Sequence, residues 1–308
     1  MKLKDRFIAL AFVTLTLVMF QTRVLGKEVA RFPFENRNGS IVLTVKLNNF
    51  PRPLKLLFDT GASGIAVGQS LADSIGLKSN SSQKASLVGG TMDISISEGN
   101  TVHLGAFRLI NQNIAIFKEL HKVGTDGVIG NMLLKHYIFK VDYDKKEILL
   151  YNFGDFEEKE ALIIPIATPQ GMIMIPGVLN ITGDQPHMGD FVFDTGASYN
   201  LICFRPFVRK NKLLVSGFKV ESSGGTVSMG MRSPTFTGNA ASFSISGLLP
   251  VKNMSVTLMA GTGENENWNP GADGSLGIGF ISRYNFTINM QKKEIYVVPN
   301  QINKNGKV

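Results

Sequence analysis

A six-residue sequence occurs twice in this chain of 308 residues, and this repetition constrains the possible folds more than any other feature. Phe58–Ser63, with the sequence FDTGAS, returns unchanged as Phe193–Ser198. A single Asp-Thr-Gly is a weak signal, but six identical residues at two positions are far beyond chance at ordinary residue frequencies. The repeat therefore predicts a duplicated unit, in which each copy presents one carboxylate on a glycine-containing turn.

The segments around the two copies also match. Apolar, β-branched runs separated by a Pro- or Gly-containing turn precede each aspartate, which is typical of a hairpin whose second strand ends at that residue. The predicted strands are Ser40–Leu47 and Leu54–Phe58 in the first copy and Met172–Ile181 and Phe191–Phe193 in the second. Further along lie Gly89, Gly90 and Thr91 in the first copy and Gly224, Gly225 and Thr226 in the second, which predict a hairpin with a glycine tip in each half.

A third pair of matching segments closes each half. Asp126–Gly130 (DGVIG) and Asp273–Gly277 (DGSLG) each precede two predicted strands joined by a turn that ends in the same Lys-Lys-Glu-Ile. Helical signals are limited to Ser70–Leu77 and Arg205–Leu214. The fold class is therefore predicted to be all-β, with two β-barrel lobes related by pseudo-two-fold symmetry.

The domain boundaries follow from the two copies and from the N-terminal composition. A basic start, an apolar run at Phe7–Phe20 and small residues before Lys27 predict an export signal. The predicted segments are a signal peptide at 1–26, an N-terminal lobe at 27–153, a charged linker at 154–160, a C-terminal lobe at 161–300 and a tail at 301–308. The second half is longer, and part of the excess is assigned to a surface loop at Gly261–Pro270.

The cysteine content bears on the cellular location of the protein, and the charge distribution bears on the class of its binding partners. Cys203 is the only cysteine, so no internal disulfide can form, and an exported chain of this kind fits a bacterial periplasmic or secreted protein. The formal net charge of +8 is scattered, and no basic run interleaved with aromatic residues points to nucleic acid. We expect a monomer without stable membrane insertion once the signal is removed.

Two aspartates on symmetry-related turns predict a specific chemistry. If their carboxyl groups lie within hydrogen-bonding range, the two like charges cannot both form easily, and the pair shares one proton. One carboxylate can then deprotonate a water while the other, protonated, donates to a carbonyl oxygen. Asp59 and Asp194 are therefore the predicted catalytic residues for hydrolysis of a peptide or protein substrate, with no cofactor.

The two Asp-Thr-Gly motifs, with the segments ending at Gly130 and Gly277, resemble the aspartic proteases of the retropepsin and pepsin group, and are most similar to bacterial retropepsin-like proteins with both copies in one chain. The resemblance covers about residues 30–300. It implies an exported aspartic endopeptidase in which Thr60, Gly61, Thr195 and Gly196 brace the catalytic loops. It also implies that the two glycine-containing hairpins, one or both, cover the substrate, and that apolar side chains fill the pockets.

The sequence departs from the pepsin pattern in three ways. Neither predicted flap carries a tyrosine, Ser275 replaces a hydrophobic residue, and Ala62 and Ala197 stand where pepsins usually have Ser or Thr. Losing those hydroxyls should make the aspartate pair less acidic, so we expect an optimum at mildly acidic to neutral pH.

Other interpretations compete with the protease. The aspartates could cap turns, or the duplicated cleft could belong to a non-catalytic peptide- or carbohydrate-binding protein. A metal site is not indicated, since the four histidines are scattered without ligand spacing. Cys203 is interpreted as a buried apolar side chain rather than a nucleophile.

Overall fold

The computed structural model describes residues 26–87, 90–118, 120, 124–154, 156–183, 185–228, 231–245, 247–260 and 269–301. These residues form twenty strands, three short α-helices and two short 3-10 helices. The strands of the first half are β1 (Glu28–Arg37), β2 (Ser40–Leu47), β3 (Leu54–Phe58), β4 (Ile65–Gly68), β5 (Ser81–Leu87), β6 (Gly90–Leu104), β7 (Phe107–Phe117), β8 (Gly127–Ile129), β9 (Ile138–Asp142) and β10 (Glu147–Tyr151).

The second half repeats this order strand for strand. Its strands are β11 (Leu162–Pro165), β12 (Met174–Asn180), β13 (Pro186–Phe193), β14 (Leu201–Cys203), β15 (Ser222–Ser228), β16 (Met231–Ile245), β17 (Val251–Met259), β18 (Gly274–Leu276), β19 (Tyr284–Asn289) and β20 (Glu294–Pro299). The two strands predicted before each aspartate are present as β2 and β3 and as β12 and β13. The bounds of β2 and β3 are as predicted, β12 is slightly shorter, and β13 begins at Pro186 rather than at Phe191.

Each half closes a six-stranded ring. In the first half the neighbours run β2-β3-β8-β4-β7-β6, and β6 pairs back onto β2. In the second they run β12-β13-β18-β14-β17-β16, and β16 pairs back onto β12. Closure pairs both edges of each six-stranded ring and encloses a core of branched aliphatic and Phe side chains, while β5 and β15 extend from the rings as edge strands. The predicted all-β, two-lobed, pseudo-symmetric architecture is therefore confirmed.

The two lobes are joined by a shared sheet with the strand order β11-β20-β19-β9-β10-β1. Its centre is the antiparallel pair β9 and β19, where Val141 faces Phe286 and Phe139 faces Ile288. Because β9 and β19 are equivalent strands, the approximate two-fold axis passes between them. Strands on both sides of the predicted linker at 154–160 belong to this sheet, so the lobes are tied together by backbone pairing. The boundaries of the segments stay a prediction.

The turns of this sheet show the duplication in backbone conformation as well as in sequence. Lys146 joins β9 to β10 and Lys293 joins β19 to β20, and both have a φ of 56°. A lysine rarely adopts this left-handed conformation, so its occurrence at the same position of both Lys-Lys-Glu-Ile turns reflects one inherited turn geometry.

Helices are few and short. The two predicted helices are present as α1 (Gln69–Ser74) and α2 (Arg205–Lys210), each following the strand after an aspartate loop. A third helix, α3 (Ile278–Ile281), and 3-10 turns at Asn131–Lys135 and Pro169–Gly171 were not predicted. No helix in the described part of the chain is long and apolar enough to cross a bilayer.

One prediction about the hairpins is wrong. In the first half, Gly90 pairs with Leu87 at the end of the described β5–β6 ladder, in agreement with the prediction for this residue. In the second half, Gly225 pairs with Pro234, and the ladder continues beyond it to the pair Ser228 and Met231. Gly224 and Gly225 therefore lie inside β15 and not at the tip of a hairpin, because glycine tolerates extended backbone as well as turns. The predicted strand Thr226–Met231 is divided between β15, which ends at Ser228, and β16, which begins at Met231.

Several other predictions fall outside the described residues. They concern the signal peptide apart from Gly26, Gly89 of the first hairpin, most of the loop Gly261–Pro270 and the tail beyond Gln301.

Candidate active site

The two aspartates occupy equivalent positions at the ends of β3 and β13. In each lobe this strand pairs in parallel with the short strand of the Asp-Gly-x-x-Gly segment: β3 pairs with β8, and β13 pairs with β18. The Asp59 N–H donates to the Ile129 oxygen at 3.0 Å, and the Asp194 N–H donates to the Leu276 oxygen at 3.0 Å. These segments thus hold the backbone of both aspartates in place.

The two loops are locked to each other by their threonines. Thr60 and Thr195 are fully buried. The Thr60 N–H donates to Oγ1 of Thr195 at 3.0 Å, and the Thr195 N–H donates to Oγ1 of Thr60 at 3.0 Å. Each hydroxyl also donates across the interface, Thr60 to the oxygen of Phe193 and Thr195 to the oxygen of Phe58. Four reciprocal hydrogen bonds therefore fix the distance between the two aspartate loops.

This lock brings the carboxyl groups together. A Cβ built on Gly61 would lie 3.1 Å from Oδ1 of Asp59 and 3.3 Å from Oδ1 of Asp194. One oxygen of each carboxyl group therefore borders the same glycine. A Cβ on Gly196 would overlap the Asp59 carboxyl group, which explains why glycine is required there. Both aspartates are partly exposed, and the pair is therefore close together and open to solvent.

The hydrogen bonds to the two carboxylates are partly symmetric. The Gly61 N–H donates to Oδ1 of Asp59 at 2.8 Å, and the Gly196 N–H donates to Oδ1 of Asp194 at 2.9 Å. Such backbone donors favour the ionised form of a carboxylate. In the second lobe the Ser275 hydroxyl also donates to Oδ2 of Asp194, at 3.2 Å.

The Ser275 hydroxyl is a donor that the sequence analysis did not assign. Ala62 and Ala197 have no hydroxyl to donate, but Ser275 of β18 supplies a side-chain donor to Asp194. The position equivalent to Ser275 in the first lobe is Val128, which is buried and cannot donate. The expected optimum at mildly acidic to neutral pH stays a prediction.

Tyr199 lies beside the same serine. Burial raises the pKa of its phenol well above the usual value, and the charges of Asp194 and Asp59 add to this effect, while a hydrogen-bonding contact with Ser275 opposes it. The residue as a whole is partly exposed, and it packs against an apolar cluster of the second lobe. Tyr199 therefore stays protonated near the aspartate pair.

Asn131 is a further residue that the sequence did not single out. It is buried, and its side-chain amide donates to the Thr60 oxygen at 3.2 Å and to the Gly171 oxygen at 3.3 Å. Since Gly171 belongs to the second half of the chain, this amide ties the first aspartate loop to the opposite lobe. A polar residue directly after Asp-Gly-Val-Ile-Gly was the available signal, because Ile278 takes that position in the second copy.

The predicted flap residues lie in the hairpins of the two lobes, away from the aspartate loops along the chain. Gly90 and Thr91 begin β6, whereas Gly224, Gly225 and Thr226 lie within β15, and Gly89 is outside the described residues. A small apolar cluster connects the first hairpin to the Asp59 loop. Ala85 of β5, Met92 of β6 and Ala62 of the Asp59 loop each pack against its buried members. The hairpin β5–β6 and the loop that carries Asp59 therefore share one apolar cluster.

The second lobe has an equivalent apolar cluster beside Asp194. Tyr199 of the Asp194 loop and Met172 are partly exposed and pack against a buried group that lies at the same end of the barrel. The buried members are Met174, Val192, Ile202, Phe204, Met259 and Ala272. Each aspartate loop is thus bordered by apolar side chains of its own lobe.

Among the described residues, no group of three or more His, Cys, Asp or Glu side chains is placed to hold a metal ion. The Cys203 side chain is fully buried, and burial, with a smaller effect of Asp273, raises the pKa of its thiol. The arrangement that can perform chemistry in this part of the chain is the aspartate pair itself.

Comparisons with known proteins agree with this geometry. Residues 43–133 match the family described as Aspartyl protease, which includes Asp59 and the whole Asp126–Gly130 segment. A search of curated proteins finds no match. Among solved structures, the fold is similar to the crystal structure of aspartic proteinase from Irpex lacteus, with a TM-score of 0.58 and 16% identity over 89% of this chain and 98% of that one. The chain therefore has the fold of an aspartic proteinase, and its residues 43–133 match the aspartyl protease family.

Proposed function

We propose that this protein is an aspartic endopeptidase that hydrolyses peptide bonds with a water activated between Asp59 and Asp194. The observation that carries the proposal is the reciprocal lock between Thr60 and Thr195, because it holds two identical Asp-Thr-Gly loops face to face. A buried lock of this precision is not needed if the aspartates only cap turns.

The proposed chemistry requires the two carboxyl groups to act together, and oxygens of both border Gly61. In aspartic proteases generally, two carboxyls within hydrogen-bonding distance share one proton over an intermediate pH range. The ionised member removes a proton from water, and the protonated member donates to the carbonyl oxygen of the scissile amide. The resulting tetrahedral intermediate collapses when the leaving nitrogen receives a proton, so that neither a metal nor a covalent intermediate is required.

The surroundings support an extended peptide as substrate. The first hairpin, β5–β6, shares an apolar cluster with the Asp59 loop, and β5 is an edge strand of its sheet, which could pair with a peptide backbone. The apolar clusters beside each aspartate, with Met92 and Met172 partly exposed, favour apolar substrate side chains. Since one chain supplies both aspartates, a monomer is sufficient for activity.

Replacement of each aspartate by asparagine tests the proposal directly. Asp59→Asn and Asp194→Asn preserve the side-chain shape but remove the shared proton, so we expect cleavage of a mixed peptide library to fall by about 10²–10⁴-fold. The matched control is Asp73→Asn, an exposed aspartate on α1, which should retain wild-type cleavage. Pepstatin should inhibit the wild type. Cleavage that persists in both variants would refute the proposal, and a folded wild type that cleaves no peptide would favour the non-catalytic binding protein.

We also propose export, which is supported by the basic start and the apolar run at Phe7–Phe20. Expression of the full chain in a bacterial host should give an extracytoplasmic product whose first residue is Lys27. A product that retains Met1 and stays in the cytoplasm would contradict this part of the proposal.

A further inference from the structure

The sheet that joins the two lobes has an outer face, opposite to the face that packs on the core. Phe139 of β9 and Phe286 of β19 belong to the core. Because side chains alternate along a strand, their neighbours Lys140 and Thr287, which pair across the two strands, lie on the outer face. Asp142, two residues beyond Lys140, lies on the same face. The outer face next to the approximate two-fold axis is therefore polar.

The segment between the lobes covers part of this outer face. The Phe156 ring contacts two aromatic rings of the sheet, with centroids 5.3 Å from Tyr151 and 5.6 Å from Tyr296. Two residues later, Glu158 accepts hydrogen bonds from the Lys140 ammonium on both carboxylate oxygens, at 2.8 and 2.6 Å. Glu158 and the sheet border a cavity of about 190 Å³. Since a cavity of about 150 Å³ can hold a molecule the size of benzene, this one has room for a small ligand.

The lining of the cavity is negatively charged. It contains two acidic residues, Asp142 and Glu158, and one basic residue, Lys140, so its formal charge is negative by one. Lys140 and Glu158 neutralise each other through their two hydrogen bonds. Asp142 is buried, and the ammonium of the exposed Lys145 lies 3.9 Å from its Oδ2 atom. Because a buried carboxylate without a close cationic partner is costly, the lining favours a ligand with a positive charge.

A buried hydroxyl also lines the cavity. Thr287 is only 1% exposed. Within the part of the chain that the structure describes, its hydroxyl makes no hydrogen bond. Buried polar groups in proteins are generally hydrogen-bonded, so this hydroxyl points to a polar molecule in the cavity. Tyr296 and Val298 complete the lining. An aromatic ring such as that of Tyr296 is a favourable neighbour for an ammonium group.

We propose that this cavity binds a small primary amine that also carries a hydroxyl group. The ammonium group of the ligand pairs with Asp142, and its hydroxyl pairs with Thr287. A metal ion fits less well, because among the described residues no group of three or more His, Cys, Asp or Glu side chains is placed to hold one. Both lobes supply lining residues, so a bound amine connects them. None of these residues belongs to the aspartate loops, and the site does not depend on the proposed protease activity.

Three probes with the same two-carbon skeleton separate the effect of charge from that of shape. They are ethanolamine, which is a cation at neutral pH, ethylene glycol, which is neutral, and glycolate, which is an anion. NMR titration of the purified protein gives both the affinity and the location of each probe. We expect ethanolamine to bind about tenfold or more tightly than the other two, and to shift the amide signals of β9 and β19. Failure of ethanolamine to bind, equal affinity for the three probes, or shifts confined to other strands would overturn the proposal.

Asp142→Asn tests the charge without disturbing the turn. The equivalent residue in the second half is Asn289, which accepts the Lys292 N–H at 3.1 Å, as Asp142 accepts the Lys145 N–H at 2.9 Å. The variant can therefore keep this bond, and it should weaken ethanolamine binding by about tenfold while leaving ethylene glycol unchanged. Ethanolamine affinity that survives this substitution would overturn the proposal.

Two substitutions of Thr287 test the hydroxyl. Thr287→Val removes it and should weaken both ethanolamine and ethylene glycol by several-fold, whereas Thr287→Ser keeps it and should bind both as the wild type does. The matched control is Asp73→Asn, an exposed aspartate on α1, which should not change the affinity for any probe. Equal affinities in the valine and serine variants, or a loss of binding in the control as large as in Asp142→Asn, would contradict the assigned site.

Discussion

The threonine lock makes a quantitative prediction about stability. Thr60→Val keeps the shape and volume of a fully buried side chain but removes its hydroxyl. The Thr195 N–H then loses its acceptor, at 3.0 Å, and the Phe193 oxygen loses its donor. Each buried backbone group left without a partner costs about 1–3 kcal/mol, so the free energy of unfolding should fall by about 2–6 kcal/mol. Since whole domains are stable by only about 5–15 kcal/mol, this is a severe loss.

The pseudo-symmetry of the lock extends this prediction. Thr195→Val removes the equivalent pair of bonds, to Phe58 and Thr60, so its effect should match that of Thr60→Val. The double variant should lose less than the sum of the single losses, because both hydroxyls hold the same two loops. Urea denaturation followed by tryptophan fluorescence or circular dichroism measures all three free energies.

The control for these variants is Thr44→Val, an exposed threonine on β2, which should change stability by no more than about 0.5 kcal/mol. Peptide cleavage should fall in both lock variants even where they remain folded, because the aspartate loops lose their fixed separation. A Thr60→Val protein that is as stable and active as Thr44→Val would refute the role given to the lock.

Three further predictions concern glycine, cysteine and pH. Gly196→Ala should lower peptide cleavage by about a hundredfold or more, because the added carbon would overlap the Asp59 carboxyl and displace it. Cys203 should resist thiol reagents in native buffer and react only as urea unfolds the protein, since its thiol is buried with a raised pKa. Asp126→Asn should reduce stability at neutral pH. Burial alone would raise the pKa of Asp126, but hydrogen bonds from Arg52 and the Lys55 N–H lower it on balance.

Each of these three predictions has an outcome that would contradict it. For the glycine, the control is Gly64→Ala, where an added carbon meets nothing within 4 Å; equal activity of the two variants would contradict the clash. For the cysteine, rapid labelling of the native protein would contradict burial. For Asp126, a folded pKa below the unfolded one gives stability that is present above the unfolded pKa and lost as pH falls through the folded pKa. The variant's deficit should therefore disappear in acid, and a deficit that is constant with pH would count against this sign.

Much of the fold followed from the sequence because the two copies could be compared with each other. Strands β2 and β3 were predicted with their observed bounds, since alternating β-branched residues and a proline turn specify a local hairpin. The barrels and the two aspartate loops followed from the repetition of that hairpin with its downstream partners. The second copy thus allowed each predicted strand and loop to be checked against its equivalent, which a single copy of the pattern does not allow.

The remaining features depend on tertiary context. The shared sheet between the lobes pairs β9 with β19, and nothing in the alternation of either strand specifies the other as its neighbour. In the second half the β15–β16 ladder continues past Gly225, because glycine permits a turn without requiring one.

The asymmetry of the site was the least predictable feature. Ser275 was noticed in the sequence only as a break in a hydrophobic pair, because its distance to Asp194 depends on the parallel pairing of β13 with β18. Tyr199 is an extra residue of the second aspartate loop, because the backbone bonds from Gly130 to Gly64 and from Gly277 to Asn200 align the two loops and leave it without a counterpart. Both residues depart from the internal repeat.

The central claim is that Asp59 and Asp194 act together on one oxygen atom. A crystal structure of the protein with bound pepstatin, whose central hydroxyl occupies the place of the attacking water, tests it most directly. We predict that this hydroxyl lies within hydrogen-bonding distance, about 2.5–3.0 Å, of both carboxyl groups, with the peptide chain under the β5–β6 hairpin. A hydroxyl that contacts only one aspartate, or an inhibitor bound away from both, would contradict the account.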